Sequence, residues 1–328
     1  MNRNRVIRSL TAMILALTLW AGCAPAEGTE SGEAWELDGQ GFLISGPGEE
    51  YILEDEETGL WQYASADLAI TIRRFREEVP GKSKKKTRTR EYCVAEIRTT
   101  EAEPLGAVMS QPTKKRPAGY KLVSPELLLE AHPCVFAMSD DLYGIRLQKY
   151  KYDGIVIRNG EILATKTRNS AKKRPWPNLD TLAVYGDGSM KAYVCDAMTA
   201  EEYLAAGATQ VFSFGPVLIT DGEISETVLD PKYYPYNEPR AAIGMIEPRH
   251  YIALIVRGRP EGTYVGAHLD WVAQKLKEYG CVEALNLDGG LTATMAFNGK
   301  LILTGGTSLR SQGSLIVFGE REQVGTTP

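Results

Sequence analysis

Near the carboxyl end of the chain, Val282 to Leu287 reads as a short buried strand, and Asn286-Leu287-Asp288-Gly289-Gly290 sets an acidic residue where that strand stops. An aspartate placed this way can face a developing positive charge, and the two glycines behind it let backbone amides approach a bound group closely. Strand ends are where scaffolds tend to present such residues. Thr292 and Thr294 continue the segment with hydroxyls suited to sugar or phosphate oxygens. Upstream, Asp141 of the Asp140-Asp141 pair is the second carboxylate candidate, Arg240 a bidentate fork for a phosphate, and Arg158 and Arg259 alternative cations. His268 titrates in a range that suits an acid or base. Each has a plainer reading. Asp288-Gly289 alone could be a turn, acidic pairs are often solvated loop residues, Arg240 could be a structural ion-pair partner, and His268 stands where a helix begins. Tyr233-Tyr234-Pro235-Tyr236 could stack on sugar rings, although a proline-bent aromatic loop more often packs on a core.

These residues need a scaffold, and the sequence outlines one. Tyr251 to Val256 is a buried-strand run, followed by a helix in which Leu269, Val272, Ala273, Leu276 and Tyr279 recur at helical spacing until Gly280. Thr294 to Phe297 and Leu301 to Leu303 flank Asn298-Gly299, a two-residue hairpin signal. Ser124-Pro125-Glu126 opens a helix with a serine cap and proline in the first turn, and Thr199-Ala200-Glu201-Glu202 is a capping box leading to Gly207. Strand-like runs occupy 154–158, 181–185 and 190–194, the last two joined by Gly186-Asp187-Gly188-Ser189. Leu68 to Ile72 and Cys93 to Ile97 suggest a hairpin around a long basic loop. The expected fold class is α+β: a mixed β-sheet core with flanking helices in a single main domain.

With 328 residues, 43% of them hydrophobic, the chain can bury a full core. Its formal charge of −5 provides no global field for nucleic acid, so nucleic acid is not an expected partner. Arg3, Arg5 and Arg8 precede an apolar run from Leu10 to Trp20, too short to span a membrane, and residues 1–26 therefore read as an export signal. Ala24-Pro25-Ala26 fits a cleavage site, while Ala21-Gly22-Cys23 resembles a lipoprotein box in which Cys23 carries lipid. Any membrane association is expected only through that signal or anchor. Residues 27–56, rich in Glu and Gly, are expected to form an acidic, loosely structured approach, with the main domain at 57–320 and a tail at 321–328. Cys93, Cys134, Cys195 and Cys281 have neither C-x-x-C nor zinc-ligand spacing, so disulfides are allowed but not demanded. No motif demands a cofactor, and a divalent cation is left open. Three basic clusters, Lys82 to Arg90, Lys114-Lys115-Arg116 and Lys172-Lys173-Arg174, are ordinarily solvated loop tips; the sharper expectation is that they hold an anionic cell-wall polymer.

The segment Asn286-Leu287-Asp288-Gly289-Gly290-Leu291-Thr292-Ala293-Thr294-Met295, followed by Asn298-Gly299-Lys300, resembles the signature of the phosphodiester glycosidase family. Pro239-Arg240-Ala241-Ala242-Ile243-Gly244, Phe214-Gly215-Pro216 and Ile157-Arg158-Asn159-Gly160 match further family elements in the same order, so the likeness runs from Trp61 to Gly319. It departs at Ala137 to Gly144, where the family's Asn-Gly is replaced although one Asp stays in register, at Arg257-Gly258-Arg259, at Gly266-Ala267-His268, and in Leu291 to Thr294. The resemblance implies a hydrolase acting at the anomeric carbon of a sugar-1-phosphodiester or related envelope glycoside, with a carbohydrate or sugar-phosphate substrate. Together with the chemistry above, the candidate substrate contacts are Gly289, Gly290, Thr292, Thr294, Arg158, Arg259, Tyr143 and Gly215. The alternative is a non-catalytic polysaccharide-binding module of the same fold.

Overall fold

The computed structural model describes residues 35–321 apart from 47, 81–86, 117, 142–152, 169–176, 231 and 259–262. Its largest sheet has nine strands in the order Glu223–Ile224, Val217–Thr220, Glu283–Leu287, Arg240–Glu247, His250–Arg257, Thr87–Thr99, Leu68–Pro80, Leu60–Ala64 and Tyr51–Asp55. A five-stranded sheet orders Glu161–Lys166, Gly154–Arg158, Ala208–Phe214, Asp180–Tyr185 and Met190–Tyr193. A second one orders Lys300–Thr304, Thr294–Phe297, Cys134–Ser139, Ser314–Glu320 and Gly106–Met109.

The three sheets share one apolar core. Ile70, Ile72, Ile243, Ile255 and Leu285 of the nine-stranded sheet meet Phe136, Met138, Met295, Phe297 and Phe318 of one smaller sheet, and Leu182, Val184 and Phe212 of the other. Alternation along the strands produces this: Ala241 and Ile243 face the shared core, while Ala242 faces the opposite side. There the helix Leu269–Glu278 lays down Leu269, Val272, Ala273 and Leu276, the stripe its 3.6-residue periodicity foretells. The α+β class holds, with few helices. Among the described residues, mixing of strand direction is confined to two isolated parallel bridges, Thr89 with Tyr264 and Asp153 with Lys166; the named strand pairings are antiparallel.

Local signals are realised where expected. Ser124 and Thr199 cap their helices, the latter in a complete capping box. Asn298 and Gly299 both adopt positive φ in their hairpin. Leu68–Pro80 and Thr87–Thr99 pair along their whole length, and the intervening 81–86 lie outside the described residues, as does the export signal. The four later cysteines are free thiols. The acidic approach is a correction: Glu36–Leu37 pairs with Leu43–Ser45, and Tyr51–Asp55 is the edge strand of the main sheet with Tyr51 buried. In Tyr51-Ile52-Leu53 the side chains alternate inward and outward, and this two-residue period outweighs the acidic composition.

Candidate active site

Asp288 leaves the Glu283–Leu287 strand at the seam between sheets, its amide donating to the Asp140 carbonyl at 3.0 Å. It keeps 7% exposure, while Gly289, Gly290 and Leu291 beside it are half-buried and Arg310 is exposed. The turn is tight: a Cβ at Gly289 would lie 2.4 Å from the Pro239 carbonyl oxygen, and Gly290 takes φ of 62° while its amide donates to that same oxygen at 2.9 Å. Burial pushes the Asp288 carboxyl up to about 7; the Thr292 hydroxyl and the charge of Arg310 pull it down, and Asp140 and Asp141 push it further up. Among the described residues, its Oδ2 is buried without a hydrogen-bond partner. A carboxyl of this kind exchanges its proton near neutral pH.

Behind it stands a buried ion triad. The strand Cys134–Ser139 delivers Asp140 and Asp141 inward, and Arg158, fully buried, donates through Nη2 to Asp140 at 3.0 Å and to Asp141. Its Nη1 donates to the carbonyls of Val211 at 2.8 Å and Ile157 at 3.1 Å, and the guanidinium lies 4.2 Å from the Phe212 ring centre. Asp141, at 0% exposure, also accepts from the Ser213 amide at 2.5 Å, and Asp140 accepts from the Ser314 hydroxyl. Asp141 and Arg158 thus sit beneath Asp288 and not beside it at the surface.

Arg240 begins the strand next to Asp288, but its guanidinium is buried and donates to the carbonyls of Ala267 at 3.0 Å and Tyr236 at 2.8 Å, under the ring of Tyr234. It clamps two loops through backbone oxygens. His268 caps the neighbouring helix by position, with no side-chain cap hydrogen bond. Thr294 is buried, its hydroxyl donating to the Thr292 carbonyl and accepting from Gln312. Gly215 lies one strand away, with φ of 82°, exchanging hydrogen bonds with Asn286 and so fixing the strand that carries Asp288. Tyr143 and Arg259 lie outside the described residues. Lys114 and Lys115 are exposed on a loop, Arg90 stacks on Trp271, and Lys172 to Arg174 fall outside the described residues.

Arg310 escaped the sequence reading. Its amide donates to the Leu291 carbonyl at 3.1 Å, its Nη1 reaches the Thr292 hydroxyl at 3.4 Å, and among the described residues it pairs with no carboxylate within ion-pair distance. The one signal available was a lone cation in Thr307-Ser308-Leu309-Arg310-Ser311, a polar loop ahead of a buried strand. Among the described residues no group of three or more His, Cys, Asp or Glu side chains is arranged to hold a metal ion, and no helix is long and apolar enough to cross a membrane.

Fold and site together define a β-rich α+β domain with a near-neutral carboxyl at a sheet seam, backed by a buried ion triad. The chain belongs to the phosphodiester glycosidase family, whose profile matches residues 132–318. It is similar in fold to the zebrafish N-acetylglucosamine-1-phosphodiester alpha-N-acetylglucosaminidase catalytic domain auto-inhibited by its pro-peptide, with a TM-score of 0.58 and 18% identity, covering 84% of this chain and 90% of that one. A hypothetical protein from Synechocystis aligns with a TM-score of 0.49 and 12% identity over 85% of this chain and 82% of that one. In sequence, the chain is 26% identical over 151 residues to the SPbeta prophage-derived uncharacterized protein YomE of Bacillus subtilis (strain 168), covering 44% of this chain and 23% of YomE. The match therefore spans less than a quarter of that relative's length.

Proposed function

We propose that the protein hydrolyses a sugar-1-phosphodiester at its anomeric carbon, outside the cytoplasm. The observation that carries this reading is the juxtaposition of Asp288, buried with one oxygen unpartnered and its proton affinity moved up to about 7, with Arg310, an exposed guanidinium that has no carboxylate partner among the described residues. A phosphate monoester leaves far more readily than an alcohol, so the reaction needs little general-acid help. It needs a carboxylate or base at the sugar carbon and a cation at the departing phosphate. Asp288 takes the first role, activating water or facing the oxocarbenium-like centre, and Arg310 the second. Thr292 bridges them. Thr294 holds the segment after the turn, Gly215 fixes the strand before it, Arg240 clamps the Tyr236 and Ala267 loops, and the Asp140–Arg158–Asp141 triad keeps like charge beneath Asp288 that favours its protonated form. Export rests on Arg3 to Trp20 and the Cys23 or Ala26 exits.

Arg310→Gln tests the assignment. The variant is expected to bind a sugar-1-phosphodiester about tenfold more weakly or worse, the scale of a hydrogen bond to a charged group, and to bind the free sugar as the parent does. Isothermal titration with both ligands reads the difference. Equal losses for sugar and phosphodiester would remove Arg310 from the phosphate.

A further inference from the structure

A second cation-rich feature lies on the same end of the nine-stranded sheet. Glu56, Arg74, Arg76, Glu91 and Arg257, with Leu301 to Thr304 opposite, line a cleft of about 300 Å³, three guanidiniums against two carboxylates. Strand register connects it to Asp288. Leu287 pairs with Ala241, Arg240 with Val256, Arg257 with Glu91, and Glu91 with Arg76. At roughly 4.8 Å per strand, the Arg257 strand is about 10 Å and the Arg76 strand about 19 Å from the strand that ends in Asp288. The far wall is joined to the site as well. Thr304 leads into Gly305, whose amide donates to the Ala293 carbonyl at 2.7 Å and whose carbonyl accepts from Gly258 at 3.0 Å.

The charges inside do not cancel. Glu91, 1% exposed, accepts from Arg76 Nε at 2.8 Å and from Arg257 Nη1 at 3.0 Å, so one buried carboxylate serves two guanidiniums. Arg74 adds a third, held by the Ile302 carbonyl at 2.9 Å; its acidic neighbour, Glu56, stands 3.9 Å away with a side chain 84% exposed. The Arg257 guanidinium stacks on Tyr264, 4.3 Å from the ring centre. Three guanidiniums set against two carboxylates, in a cleft of ligand size, are the chemistry that receives an oxyanion.

We propose that this cleft is a subsite for a second phosphate group, carried on the leaving side of the substrate about 10 Å or more from the bond that breaks. The proposal rests on the reading that the reaction occurs at Asp288. It selects polyanionic substrates, phosphate-bearing chains in particular, over sugar phosphodiesters with neutral leaving groups.

Two measurements on the full-length protein test it, and only the second needs turnover. In the first, inorganic tripolyphosphate is titrated calorimetrically into the parent, Arg76→Gln and Arg310→Gln, with citrate as the carboxylate control. Arg76 has a side chain 63% exposed, and its loss leaves Glu91 paired with Arg257, so this variant keeps its fold. The expected result is a tripolyphosphate site weakened about tenfold in Arg76→Gln and still present in Arg310→Gln, with citrate bound more weakly throughout. Unchanged binding in Arg76→Gln overturns the subsite, and citrate binding as tight as tripolyphosphate overturns the choice of phosphate. In the second, kcat/KM is compared for sugar-1-phosphodiesters whose leaving groups do or do not carry another phosphate. The parent should favour the phosphorylated one about tenfold, and Arg76→Gln should lose that preference; equal rates in the parent overturn the proposal. Tripolyphosphate binding that depends on Arg76, with no turnover of any phosphodiester, would support the anion site while removing the reaction assigned to Asp288.

Discussion

Asp288→Asn is expected to lower turnover of a sugar-1-phosphodiester by at least about a hundredfold, the scale of a lost positioned acid–base group, without unfolding the protein. Its effect on stability has the opposite sign. With the carboxyl pushed up to about 7 by burial, the folded protein holds a proton that the unfolded chain releases near 3.8. Stability therefore falls as pH rises between those values, and the full cost, roughly 4 kcal/mol at most, is present above about pH 7. Asparagine has no charge to bury. The variant should match the parent near pH 4 and melt higher at pH 8, while the parent's kcat/KM climbs with pH through about 7 as the base ionises. Melting curves at the two pH values and a pH–rate profile read both effects. Near-normal turnover in Asp288→Asn would remove Asp288 from the chemistry, and a melting temperature lowered at pH 8 would show that its carboxylate stabilises the fold.

The second large effect is expected at Arg158. Replacing it with Met leaves Asp140 and Asp141, 2% and 0% exposed, without the guanidinium that joins them. Breaking a buried pair in this way costs about 3–5 kcal/mol, whereas replacing all charged members with neutral groups of similar shape is often close to neutral. Urea denaturation should show that loss for Arg158→Met and recovery of most of it in Asp140→Asn/Asp141→Asn/Arg158→Met. A loss below about 1 kcal/mol in the single variant would mean that the triad does not hold the seam together.

How much of this was legible in the sequence depended on whether a residue's role is local. Asp288 could be found because a strand's end and a two-glycine turn are adjacent in the chain, and the close approach of Pro239 explains why glycine follows it. The helix from Leu269 and the Asn298-Gly299 hairpin were legible for the same reason. Asp141 and Arg240 were found as residues but not as roles. Whether Asp140-Asp141 faces water or the interior is decided by Cys134–Ser139 being the central strand of its sheet, and Arg240 meets its carbonyl partners only after the Tyr236 and Ala267 loops fold over it. Arg310 carries no periodicity or motif, and its placement depends on Leu291, nineteen positions away in the chain. The strand at Tyr51 was masked by acidic composition, although its alternation was present.

Oxygen-18 labelling tests the central claim most directly. When a sugar-1-phosphodiester is hydrolysed in labelled water, attack at the anomeric carbon places the label on the C1 hydroxyl of the released sugar and leaves the phosphate monoester unlabelled. The expected result is that outcome, at a rate lowered at least about a hundredfold in Asp288→Asn. Label in the phosphate would mean that water attacks phosphorus, and hydrolysis undiminished in Asp288→Asn would mean that the reaction occurs elsewhere; either contradicts a glycosidase centred on Asp288.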